Sequence, residues 1–208
     1  MLSDKLRTFY SEPLNEKFLK EAAEVLELGG MIIFPTDSVY ALGCLSNKRE
    51  TLKRLAKIKG IKLEHAPLSF IFKDISALSS FVLPMNSQVF KLVKSLLPGP
   101  YTFIMHAAQK LSKPFQKRKT IGVRIPDHPV LKSLLPLLNA PLVCTSIHDT
   151  DKIIDYTTDP EELLSLWYTD IDLMLSDGYG SNIPSTVIDL TTTPFEILRK
   201  GTGAVPFK

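Results

Sequence analysis

Several polar side chains stand out because each falls near the end of an apolar run that reads as a strand or helix. They are Thr36, Lys59, His65, Thr102, Arg124, Ser146, His148, Ser185, Thr186 and Arg199. Cations and hydroxyl groups at such positions are suited to holding an anion, through charge-assisted hydrogen bonds that need no covalent step. Other chemistries have no candidate. There is no G-x-x-x-x-G-K-[ST] phosphate loop, no G-x-G-x-x-G fingerprint, no G-x-S-x-G elbow and no His/Cys cluster with zinc spacing. Asp149, Asp151 and Asp155 lack the glycine and terminal glutamate of a calcium loop. Taken singly, each polar residue is ordinary. A lone threonine is more often structural, and His106 and His128 read as surface or capping groups.

The elements that must position these side chains follow from periodicity. Leu14, Phe18, Leu19, Ala22, Val25 and Leu26 recur at helical spacing, which predicts an amphipathic helix over 15–28 stopped at Gly29-Gly30. Met31 to Phe34 is a buried strand ended by Pro35, with Thr36, Asp37 and Ser38 at its mouth. Asn47 and Glu50 form a capping-box pattern for a helix that ends at Gly60. Further strands are expected at 67–72, 101–105, 119–125, 142–145, 171–175, 186–190 and 196–198. Helices are expected at 87–97, from Pro129 and from Asp159-Pro160. Residues 1–13 read as surface chain, and 146–158 as a polar, acidic loop. Strands alternate with helices early and cluster late, so the class is α/β with a mixed sheet.

The 208 residues suit one domain with a real core. No apolar run approaches the ~18 residues of a membrane span, and Met1-Leu-Ser-Asp-Lys has no signal-peptide core. Cys44 and Cys144 are apolar-flanked and far apart in sequence. They suit a reducing cytoplasm, with a bond between them left open. The net charge of +3 is modest but unevenly spread. No carboxylate occurs between Asp74 and Asp127, where Lys91, Lys94, Lys110, Lys113, Lys117, Arg118, Lys119 and Arg124 all fall. Lys48 to Lys62 adds seven cations against Glu50 alone. A basic middle of this kind favours an anionic partner such as a nucleotide, polyphosphate or RNA, although a single surface lysine is by default only solvated.

Ile33-Phe-Pro-Thr-Asp-Ser-Val-Tyr-Ala-Leu-Gly-Cys44 resembles the signature of the YrdC/YciO family, and six further motifs follow in the family's order. Lys59 with Pro67-Leu68 is similar to its K-x-R segment and the strand beyond. Pro98-Gly-Pro-Tyr-Thr102 is similar to Pro-Gly-x-x-Thr, and Val123-Arg-Ile-Pro-Asp-His-Pro129 to Val-Arg-x-Pro-x-His-Pro. Thr145-Ser146 sits where the family has Thr-Ser-Ala-Asn. Ser185-Thr-Val-Ile-Asp189 and Arg199-Lys-Gly201 resemble the closing Ser-Thr-Val-x-Asp and Arg-x-Gly.

The resemblance implies a single YrdC-like domain over 1–208, core about 15–203: a twisted mixed α/β sheet flanked by helices, with a basic concave cavity. It also implies synthesis of threonylcarbamoyl-AMP from threonine, bicarbonate and ATP, with Mg2+ accompanying the ATP. The product feeds modification of an adenosine in tRNA. On this resemblance Lys59 and Arg124 are the catalytic cations. Thr36, His65 and Arg124 face the substrate. Lys59, Lys62, Thr102, Thr145, Ser146, Ser185, Thr186 and Arg199 bind the nucleotide. No protein metal ligand is implied.

Departures point to the YciO branch. Ile61 stands at the second cation of K-x-R, with Lys62 one place late. Thr145-Ser-Ile-His148 replaces Thr-Ser-Ala-Asn, and Lys119-Thr-Ile-Gly122 and Asp37-Ser38 are YciO-like. Alternative readings are a non-catalytic protein binding double-stranded RNA, tRNA or the ribosome, and a carbamoyl transferase with another acceptor.

Overall fold

Strands that are apolar on both faces need cover on both. The computed structural model describes residues 4–10, 13–108, 111, 113–147 and 158–205. Among these, ten strands form one mixed sheet: β1 (Leu6–Thr8), β2 (Ile32–Phe34), β3 (Ala41–Leu45), β4 (Ser69–Ile71), β5 (Tyr101–His106), β6 (Thr120–Arg124), β7 (Leu142–Ser146), β8 (Leu173–Ser176), β9 (Thr186–Asp189) and β10 (Glu196–Arg199). Their order is β1-β8-β2-β3-β7-β4-β6-β5-β9-β10. Four contacts are parallel, β1 with β8, β2 with β8, β4 with β6 and β5 with β9, and the others antiparallel.

Alternation divides the core in two. On one face Leu19, Ala22 and Leu26 of α1 (Glu16–Glu27) and Val130, Leu131 and Leu134 of α5 (Pro129–Leu134) pack on Ile32, Phe34, Ala41 and Leu173. Burying each such leucine contributes roughly 1.5–3 kcal/mol. Asn15 caps α1 by accepting from the Lys17 amide at 3.0 Å. On the other face α2 (Arg49–Ile58), α4 (Ser87–Leu96) and α6 (Pro160–Trp167) supply Leu52, Leu55, Val93 and Leu163 against Ile33, Leu42, Phe70 and Phe103. A short α3 (Ile75–Ser79) lies between β4 and α4.

Several expectations change. The first residues are not only surface chain, because β1 pairs with β8 and Phe9 is buried. A strand absent from the expected set, Ala41–Leu45, pairs with β2 and β7. The capping box at Asn47 does not form. The N-cap is Lys48, and Glu50 instead pairs with Lys53. Cys44 and Cys144 are both free. Cys144 lies in register with Gly43, so the neighbouring Cys44 projects to the opposite face. His148, Asp149, Asp151 and Asp155 lie outside the described residues.

Candidate functional site

A cavity of about 430 Å3 opens on the sheet across β7, β4, β6 and β5. Cys144, Ser69, Gly122 and Ile104 are register neighbours across these strands, and they form its floor. That volume lies within the range of small-molecule sites. Period-two alternation puts Thr120, Gly122 and Arg124 of β6 on this one face. Gly122 keeps the floor low, since a Cβ there would stand 3.0 Å from Ser69 Oγ.

Lys59, His65, Thr102, Arg124, Thr145, Ser146 and Arg199 all line this cavity. Residues far apart along the chain therefore converge in one hollow. Lys59, at the C-cap of α2, donates to the Ser146 carbonyl at 3.2 Å. Arg124, 2% exposed, donates through Nη2 to Asp37 Oδ1 at 2.8 Å and to Ser38 Oγ at 3.0 Å. Its Nε is buried without a partner. Asp37 also accepts from the Asp127 amide at 2.8 Å, which ties the signature mouth to the entry of α5.

Other candidates stand behind the wall. The Thr36 hydroxyl donates to the Val39 carbonyl at 2.6 Å and lies 3.1 Å from Ser38 Oγ, so Ser38 donates to Thr36 while accepting from Arg124. Thr36 thus reaches the cavity through Ser38 and Arg124. Ser185 is buried, its Oγ 2.8 Å from Thr102 Oγ1, and its carbonyl accepts from Arg199 Nε at 3.1 Å and Nη2 at 2.9 Å. Thr186 donates to the Gly203 carbonyl at 2.6 Å and accepts from the Gly201 amide at 3.0 Å. Gly201 must be glycine, because a Cβ there would fall 2.0 Å from the Pro184 carbonyl oxygen. That close approach lays Arg199 on Ser185. Lys62 is exposed and does not line the cavity, whereas Ile61 does.

Sequence reasoning did not single out Arg118, Ser69, Thr120 or Gly122 as cavity residues. The alternation around Arg124 could have found the last two. Burial pushes the Arg118 guanidinium below its usual range. Burial, and then the charge of Arg124, does the same to Arg199. Two arginines that sense each other across a cavity make it attractive to an anion.

His128 is not a surface group, although it stands at the N-cap position of α5. It is buried, with Nε2 2.8 Å from Asp177 Oδ2, and it makes no cap bond at the start of α5. Tyr40 anchors the same turn by donating to the Gly178 carbonyl at 2.7 Å, and burial raises its phenol to about 12. A larger hollow of about 680 Å3 between α1 and α5 contains none of the candidate residues. Among the described residues, no group of three or more His, Cys, Asp or Glu is placed to hold a metal, and no helix is long and apolar enough to cross a membrane.

The fold is a mixed α/β sheet with cations and hydroxyls gathered in one cavity on it. The chain belongs to the Sua5/YciO/YrdC family. The family model, described as "Telomere recombination", matches residues 24–201. The chain is 35% identical over 205 residues to the uncharacterized protein YciO of Escherichia coli K12, covering 96% of this chain and 98% of YciO. The crystal structure of E. coli YciO superposes with a TM-score of 0.85 at 31% identity, over 97% of each chain. Human threonylcarbamoyl-AMP synthase is 28% identical over 194 residues, 88% of this chain and 67% of that protein. Pyrococcus abyssi Sua5 in complex with L-threonine gives a TM-score of 0.83 at 25% identity, over 94% of this chain and 57% of Sua5.

Proposed function

We propose that the chain is a nucleotidyltransferase of the threonylcarbamoyl-AMP synthase type. Threonine nitrogen and bicarbonate give a carbamate with loss of water. A carbamate oxygen then attacks the α-phosphate of ATP, and pyrophosphate leaves. No protein nucleophile is required, so the rate comes from positioning and from cations placed where charge develops. The observation that carries this reading is the convergence of Lys59, Arg124 and Arg199 with Thr102, Thr145 and Ser146 on one cavity.

The roles proposed here come from the family resemblance, and the shared cavity supports them. Arg124 offers the N–H groups that Asp37 and Ser38 leave unused to a carboxylate or carbamate, with its direction set by Asp37 and, through Ser38, by Thr36. Lys59 and Arg199 meet phosphate, and Thr102, Thr145 and Ser146 meet the nucleotide. His65, exposed and lining the cavity, would face the substrate. Ser185 holds Arg199 and Thr102 from behind, and Thr186 ties the chain at Gly201 and Gly203. Asp37 is already engaged by Arg124 and the Asp127 amide. Mg2+ would therefore arrive on the phosphates of ATP, in keeping with its habit of retaining water and phosphate ligands.

The test is threonine- and bicarbonate-dependent release of pyrophosphate from ATP by purified protein. Arg124→Ala should abolish it, and no release above a protein-free blank overturns the reading. A second reading rests on α2, which exposes Arg49, Lys53 and Lys57 along one side. Steeply salt-dependent binding of tRNA or double-stranded RNA without nucleotide turnover would favour a binding role instead.

A further inference from the structure

The cavity holds a cation whose role none of the above assigns. Arg118 comes from the connection between β5 and β6 and lines the cavity beside the segment after α2. Its Nη2 donates to the carbonyls of Leu63 at 2.9 Å and Ala66 at 2.7 Å, and its guanidinium carbon lies 5.3 Å from the centroid of the buried Phe115 ring. These contacts fix the group in place. They use only one of its nitrogens, and Nε is buried without a partner. Burial alone lowers its proton affinity, with no carboxylate acting against it.

A half-buried guanidinium with unused donors and no counter-ion is unfavourable unless an anion completes it. Arg124 has Asp37, but among the described residues Arg118 has two carbonyl dipoles and the Phe115 ring and no carboxylate. The neighbouring segment supplies Lys59, while Ile61 gives the same wall an apolar side chain. A ligand carrying several negative charges would find its second cation on this wall at Arg118. Because the loop carbonyls already hold the side chain, little rotamer freedom would be lost on binding.

We propose that Arg118 is a ligand-binding residue that grips the polyphosphate end of the molecule seated in the cavity. This rests on the nucleotide reading for the rest of that molecule, but the contact itself needs only a polyphosphate. The competing role is structural, in which Arg118 merely staples residues 63–66 to the sheet.

The experiment measures binding of ATP, AMP and inorganic tripolyphosphate by calorimetry to the full chain, Arg118→Gln and Arg118→Lys, with thermal melting of each. A lost charge-assisted contact weakens binding roughly ten- to hundredfold. ATP and tripolyphosphate should weaken by that factor in R118Q, with AMP affected less, so that the ATP-to-AMP affinity ratio falls. R118K should keep the wild-type ratio within about threefold, since a lysine binds phosphate as a point charge even without the fork. Equal weakening of ATP and AMP in R118Q marks a staple and overturns the proposal, as does unchanged ATP binding. If R118Q fails to fold, R118K decides: a retained ratio with tripolyphosphate binding supports the proposal, and an equal loss of all three ligands overturns it. If the wild-type chain binds tripolyphosphate but not ATP, and R118Q loses it, Arg118 stands and the nucleotide reading falls. If the wild-type chain binds none of them, both fall.

Discussion

Arg124 and Arg199 face the same cavity from strands separated by β5 and β9, and they are restrained in different ways. Arg124 is tied to a carboxylate whose side chain is 8% exposed and to a hydroxyl that belongs to a chain of hydrogen bonds. Arg199 rests on the carbonyl of Ser185, with that residue's hydroxyl 3.3 Å away. The first arrangement neutralises much of the charge and welds the signature mouth to β6. The second leaves the charge for a ligand and asks little of the fold. A cation in a binding cavity can therefore be a structural member or a largely uncommitted one, and its counter-ion tells which.

The largest expected effect is at the welded corner. Arg124→Ala leaves Asp37 buried and unpaired, so chemical denaturation should show a loss of roughly 3–5 kcal/mol. Pyrophosphate release should fall by at least ~100-fold. Adding Asp37→Asn should restore part of the stability and none of the turnover, which separates the two roles of Arg124. Next comes the floor between the arginines. Gly122→Val would push a branched side chain onto Ser69 and Thr102, destabilising by about 1–3 kcal/mol. It should also abolish measurable ATP binding although neither charge has changed.

Arg199→Met should weaken ATP binding by roughly tenfold or more. Its stability should stay within about 1 kcal/mol of the parent, because a neutral carbonyl rather than a buried charge loses its partner. If it destabilises as much as Arg124→Ala, the contrast between the two corners collapses.

The smallest effect is a pH dependence. Burial raises Cys44 to about 12 and Cys144 to about 11, with Arg124 tempering the latter. Both folded values lie above those of an unfolded thiol, near 8.5. The contribution of these neutral buried thiols is thus complete below about pH 8.5 and is lost as pH rises toward 11–12. Denaturation midpoints should agree at pH 7 and 8 and fall by pH 10. Thiol labelling of the folded chain at pH 8 should be slow. Equal labelling rates for folded and unfolded protein would contradict this burial.

Much of the architecture was legible because buried strands and amphipathic helices write their periods into short stretches. β2, β4 and β6 fall inside the ranges expected for them, β7 runs one residue past its own, and α1 lies where its hydrophobic spacing put it. Three features were not legible. β1 is a three-residue edge strand, too short to show a pattern. β3 reads Ala-Leu-Gly-Cys-Leu, which has neither alternation nor β-branched residues. Its strand state comes from being hydrogen-bonded between β2 and β7. Asn47 misses its capping role because the helix begins later than the pattern suggests.

At the site, residue types and motif order marked the cations and hydroxyls suited to an anion, since those properties travel with each side chain. Which of them share a cavity, which stand behind it and which are neutralised depended on contacts spanning much of the chain. Arg124 meets Asp37 across 87 residues, Arg118 meets the Leu63 carbonyl across 55, and Lys59 meets Ser146 across 87. Such pairings are set by strand order and register, which local periodicity does not encode. Charge and hydrogen-bonding capacity belong to the residue, but its counter-ion and its exposure belong to the fold.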